Sequence, residues 1–175
     1  MKRLFTLLVV SMIASSAVFA QSTELKISEK VKVTFPGKPE EKQGPNGAVV
    51  HFYTTKDSST AYMVVNVDLS QMGLTAEMIT AYGDALWEQM KGSMVAQIPG
   101  AVLTKDQIST FKGKSSLYTE IDGTNSTAPL MKQKKAFGYS FFVGAVLHQV
   151  TYYSSSPTAK ADDAASFFNS VVIAD

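Results

Sequence analysis

Apolar and polar residues alternate along much of the chain with the two-residue period of a half-buried strand. Leu25, Ile27, Val31, Val33 and Phe35 stand in this phase, which predicts one short strand or two flanking a turn near Ser28 to Lys30. Pro36-Gly37 stops the run, and the charged segment Lys38 to Gly47 ends in Gly-Pro-Asn-Gly, whose residue types suit a turn feeding the next strand. Ala48 to Thr55 and Ala61 to Leu69 predict the next two strands. In the second of these, Ala61, Met63, Val65, Val67 and Leu69 share one face, the expected core face, and Tyr62, Val64, Asn66 and Asp68 share the other.

Between Thr75 and Ile98 the period changes. Met78, Tyr82, Leu86, Met90 and Met94 recur every fourth residue, with Ile79 and Trp87 widening the stripe, so one long helix is predicted. Thr75 suits its N-cap, Glu77 lies favourably in the first turn, and Pro99-Gly100 ends it. Gly83 and Gly92 weaken such a helix by up to about 1 kcal/mol each relative to alanine, so packing on a sheet must hold it. Strand patterns then resume over Ala101 to Phe111 and Lys114 to Ile121, meeting at Lys112-Gly113. Asp122-Gly123 with Thr124 to Thr127 marks a turn, and Leu130 to Val143 reads as a long strand. The stretch Phe137 to Tyr153 folds back on itself across Val143-Gly144-Ala145 as a hairpin, and Ser156-Pro157, an N-cap followed by a first-turn proline, opens a C-terminal helix. The order is strands, long helix, strands, short helix, without the alternation that makes a parallel sheet. It predicts an α+β fold: an antiparallel sheet of six or seven strands with one long central helix and a C-terminal helix packed on it.

Composition adds a destination. Lys2 and Arg3, an apolar run from Leu4 to Ala17 and Val18-Phe19-Ala20 form a signal peptide over residues 1–20, with cleavage expected after Ala20 and a single domain over 21–175. The run is too short for a comfortable membrane span and no second one follows, so no transmembrane segment is expected after cleavage, and a periplasmic or extracellular protein is. Cysteine is absent, which excludes disulfides, thiol chemistry and a lipid-modified cysteine. Without Lys2 and Arg3, 14 basic residues face 15 acidic ones, a formal charge of −1 that argues against a nucleic-acid partner.

The residues that could carry chemistry read more simply as structure. His51 and His148 lie in separate strand patterns without a third ligand at metal-site spacing or a visible orienting partner, and count as strand side chains. No Gly-x-Ser-x-Gly elbow accompanies the serines at 154 to 156, which read as a loop leading to the helix cap. Asp162 and Asp163 point about 100° apart on a helix and suit its N-terminal turn better than acid–base work. Lys132, Lys134 and Lys135 read as guards of a sheet edge, and Tyr139, Tyr152 and Tyr153 as candidates for a recognition surface. Catalytic, cofactor-binding and metal-binding residues are therefore expected to be none, and cofactors none.

Val33-Thr34-Phe35-Pro36, Ala61-Tyr62-Met63-Val64, the mid-chain helix, the closing hairpin and Phe167-Phe168-Asn169-Ser170-Val171 together resemble the PsbP-like superfamily. The resemblance implies an antiparallel sheet of about six or seven strands carrying helices, and a non-catalytic binding or assembly role. The first expectation for function is thus a binding module for a protein or envelope component, acting through a sheet edge or loops. The alternative is a carrier of a small apolar ligand, in a pocket between the long helix and the sheet lined by residues such as Trp87, Met90, Phe141 and Tyr152. A hydrolase with a dispersed site ranks last.

Overall fold

A computed structural model describes residues 22–96 and 98–174, without the side chains of 92–95; the expected signal peptide lies outside the described residues. The elements are β1 (Thr23–Lys26), β2 (Val31–Phe35), β3 (Glu40–Gln43), β4 (Val49–Thr54), β5 (Thr60–Asp68), α1 (Ala76–Tyr82), α2 (Asp84–Ala96), β6 (Val102–Phe111), β7 (Lys114–Asp122), β8 (Lys135–Val143), β9 (Val146–Ser154), α3 (Ala165–Asn169) and β10 (Val172–Ile173). Seven strands form one sheet in the order β3-β4-β5-β9-β8-β7-β6, and β1-β2-β10 form a second. Every pairing is antiparallel. The α+β class, the meander β6-β7-β8-β9 and the turns at Lys112-Gly113 and Gly144 are as the alternation predicts. Lys112 and Gly113 have φ of 50° and 80°, the paired positive values of a tight hairpin turn.

The single long helix does not form. α1 and α2 are separated at Gly83, whose φ of 52° and ψ of −133° belong to glycine and not to a helix. Thr75 caps α1 as expected, its hydroxyl accepting from Met78 N–H at 3.3 Å. The break turns the apolar stripe: Ile79 and Trp87 are buried, whereas Met78 and Tyr82 stay 39% and 48% exposed. It also fixes the sign of a substitution. In an unbroken helix Gly83→Ala would stabilise by about 1 kcal/mol; here it is expected to destabilise by about 1–3 kcal/mol, because alanine must adopt a glycine conformation. A lowered urea midpoint checks this, and a raised one would restore the continuous helix.

Other expectations shift in smaller ways. Glu40 to Gln43, left without an element by the alternation, forms an edge strand exposed throughout, and the expected turn follows it, with Gly44 N–H donating to the Ala48 carbonyl at 2.7 Å. β8 begins at Lys135, not Leu130, so Lys132 and Lys134 lie in the preceding loop and guard no sheet edge. Ser156 caps nothing: a 3-10 turn starts at Ala161, where the Asp163 carboxylate accepts from Lys160 N–H at 2.9 Å, and α3 follows with only five residues.

The large sheet is covered on both faces. Val64, Phe137, Phe141, Val150 and Tyr152 look toward β2 and α3, where Val31, Val33, Phe35, Phe167 and Val171 complete the main core. Of β5, then, the face carrying Tyr62 and Val64 lies on the larger core, opposite to the face chosen from the sequence. Phe167 ties the layers together, 5.5 Å from the Phe35 ring and 5.0 Å from that of Tyr62. Ser170 Oγ accepts from Thr34 N–H at 3.2 Å and lies 3.1 Å from the Thr34 carbonyl, fastening the segment after α3 to β2.

Candidate functional site

The opposite face of the sheet, beneath α2, is built differently. Antiparallel register places directly opposed residues on one face. Leu117, Ser140 and Gln149 make one row across β7, β8 and β9; Thr119, Gly138 and Thr151 make the next; Ile121, Ala136 and Tyr153 the third. Two apolar clusters occupy the ends of this face. At one end Trp87 packs with Leu117, Leu147 and Phe142; at the other Ala61, Ile121, Met131, Ala136 and Tyr153 pack together. Between them runs a belt of small and polar residues: Ser140, Gln149, Thr119, Gly138 and Thr151.

A cavity of about 310 Å³ lies over that belt. Met90 of α2 and Ile98 line it from above, Met63, Ile121, Met131 and Tyr153 from one end, and the polar belt forms its floor. Gly138 deepens the floor, for a Cβ there would stand 3.1 Å from Thr151 Oγ1 and 3.2 Å from the Val150 carbonyl. No lining side chain among the described residues is charged. The side chains of Thr119, Ser140 and Gln149 make no hydrogen bond to any described residue, although Thr119 and Ser140 are only 5% and 2% exposed. Burial pushes the Tyr153 hydroxyl well above the usual phenol range against a hydrogen bond from Thr151, so the phenol is a neutral group at the cavity wall.

Of the four residues expected around a pocket, only Met90 lines it. Phe141 and Tyr152 lie on the opposite face, in the main core. Trp87 sits outside the cavity lining, buried against Phe142 at 4.9 Å with its indole N–H donating to Ser115 Oγ at 3.0 Å. Register explains the error, since neighbouring residues of a strand face opposite ways. For the same reason Tyr152 and Tyr153 diverge, and both are buried instead of forming a recognition surface. The floor residues were missed because alternation alone marks polar strand positions as solvent-facing.

Both histidines are interior strand residues. His51 is 3.7 Å from the Glu41 carboxylate across β3–β4, and burial lowers its pKa more than Glu41 raises it. His148 is fully buried, stacked on Phe141 at 5.4 Å, and burial pushes its pKa down to about 4. Neither ring hydrogen-bonds a serine or carboxylate among the described residues. A second, more open groove of about 570 Å³ runs between β6 and α3. Of its charged lining residues, Lys105 pairs with Glu120 at 3.6 Å, to which Tyr118 also donates at 3.0 Å, and Lys112 donates to the Asn169 carbonyl at 3.2 Å, whereas Asp162 makes no ion pair among the described residues.

No protein-family model matches the chain, and no curated protein matches it. Among solved structures, the solution structure of cyanobacterial PsbP (CyanoP) from Synechocystis aligns over 91% of this chain and 96% of its own, with a TM-score of 0.47 and 11% identity. A crystal structure from Bacteroides thetaiotaomicron aligns over 89% of this chain and 49% of its own, with a TM-score of 0.46 and 11% identity. The protein of unknown function PA94 from Pseudomonas aeruginosa, described as a putative regulator, aligns over 83% of this chain and 87% of its own, with a TM-score of 0.43 and 11% identity.

Proposed function

We propose that this is an exported, non-catalytic binding protein that holds a small molecule in the cavity between α2 and the seven-stranded sheet. One observation carries the reading: Thr119, Ser140 and Gln149 converge, unpaired, on the floor of a cavity whose remaining walls are mainly apolar. A few placed polar groups in an otherwise apolar concavity are the usual make-up of a ligand site, and about 300 Å³ is the lower end of the usual size range. Export rests on the basic and apolar segments of residues 1–20. A protein or envelope partner is the second reading, favoured by β6, a ten-residue outer strand that pairs only with β7 among the described strands.

Native mass spectrometry of the protein purified without denaturant from its own host separates the two. A reproducible small adduct on the monomer, lost on unfolding, is the expected result. A clean ligand-free mass together with a specific crosslinked protein partner would overturn the cavity reading in favour of the edge.

A further inference from the structure

We infer that the cavity selects an uncharged amphiphile: a molecule with a single hydroxyl, carbonyl or amide head seated on Ser140 and Gln149, and an apolar body directed toward Met63, Met131 and Tyr153. The inference rests on the cavity being the binding site and goes further, to the class of molecule and the way it lies.

The head is placed by the register. Ser140 and Gln149 stand directly opposite each other on β8 and β9, and Thr119 belongs to the adjoining row, so their free polar groups converge on one patch of floor. A serine or threonine hydroxyl and a glutamine amide can each donate and accept, which suits an alcohol, a carbonyl or an amide alike. The exclusion of charge comes from the rest of the lining. A carboxylate or ammonium group would lose its hydration with no counterion in reach, since no charged side chain among the described residues lines the cavity. The ion pair on the same face, Lys91 with Asp106 at 3.7 Å, is closed on itself, Lys91 also donating to Glu88 at 2.9 Å. The body is placed by the third row and its neighbours. Ile121, Ala136 and Tyr153 are apolar or neutral, and the Met63 and Met131 side chains beside them are unbranched thioethers that adapt to varied shapes. At the other end Trp87, Leu117 and Phe142 are packed on one another, so the body cannot extend that way.

The test uses the full mature protein labelled with 13C at its methionine methyl groups, titrated at pH 7 with octan-1-ol, octanoate and octylammonium. The expected result is a saturable shift of the Met63 and Met131 methyls with octan-1-ol, and binding at least about tenfold weaker for the two charged probes. Ser140→Ala with Gln149→Leu is expected to weaken octan-1-ol by about tenfold, the effect of losing one good hydrogen bond. Ser140→Ala alone, which removes one oxygen, should give a smaller loss and serves if the double variant unfolds. If none of the probes moves those methyls, the cavity reading fails and this inference with it. If octanoate or octylammonium binds there as tightly as the alcohol, the cavity reading stands and the selection against charge is overturned. If octan-1-ol binds but the variants bind it equally well, the assignment of the head to Ser140 and Gln149 is overturned.

Discussion

Truncating Phe141 to alanine is expected to remove about 3–5 kcal/mol of folding stability. Phe141 is 0% exposed on β8, an interior strand of the large sheet, with the Phe111 ring at 5.3 Å and the His148 ring at 5.4 Å. Packed neighbours on both sides leave little room for collapse, so the loss combines the transfer of the ring with the void left behind. Against the about 5–15 kcal/mol that a domain commonly has in total, this is a large fraction. Met78→Ala, at a residue 39% exposed on α1, is expected to stay within about 0.5 kcal/mol. Urea unfolding followed through Trp87, the sole tryptophan, measures both. Equal costs at the two positions would place Met78 in a core stripe and contradict the break at Gly83.

Acid is expected to weaken the fold through His148, with a midrange that follows from the direction of its shift. Burial depresses the pKa from 6.5 to about 4, so between these values the unfolded chain binds a proton that the folded chain refuses. Stability is then fully present above pH 6.5 and falls as the pH drops toward 4, by up to about 3 kcal/mol from this residue alone. His51 is shifted in the same direction and adds to the loss, with Glu41 opposing it. His148→Phe keeps an aromatic ring against Phe141 and has nothing to protonate. Urea midpoints measured from pH 7.5 to 4 should therefore slope less steeply for the variant. Parallel curves for the two proteins would show that His148 takes up its proton without cost, as it would if the strand opened to water.

The sequence made strands legible wherever one side of a strand is apolar and the turn contains glycine. β6 through β9 are recovered in order because Lys112-Gly113 and Gly144 punctuate clean alternation. β3 was invisible because Glu40 to Gln43 is exposed on both faces, and an edge strand with nothing buried has no period. β5 was found but assigned the wrong principal face, because a strand between two covered faces carries apolar residues in both phases: Ala61 and Val64 are both almost fully buried. The helix was overextended because a fourfold spacing persists through Met78, Tyr82 and Leu86 whether or not the backbone between them is helical. Least legible was the cavity floor. Thr119, Gly138, Ser140, Gln149 and Thr151 lie on three strands and become one belt only when the register is known.

The last strand closes on nearly the first. β10, residues 172 and 173, pairs with Lys32 and Val31 of β2, and Ser170 binds Thr34 at a sequence separation of 136. The small sheet is therefore completed by a pairing between residues about 140 positions apart, a loop closure that local contacts do not reward. Without it one edge of β2 is bare, and Val171, just before β10, is withdrawn from the main core. β10 is thus expected to dock last, after the seven strands ending at Ser154 have found one another through their nearer pairings.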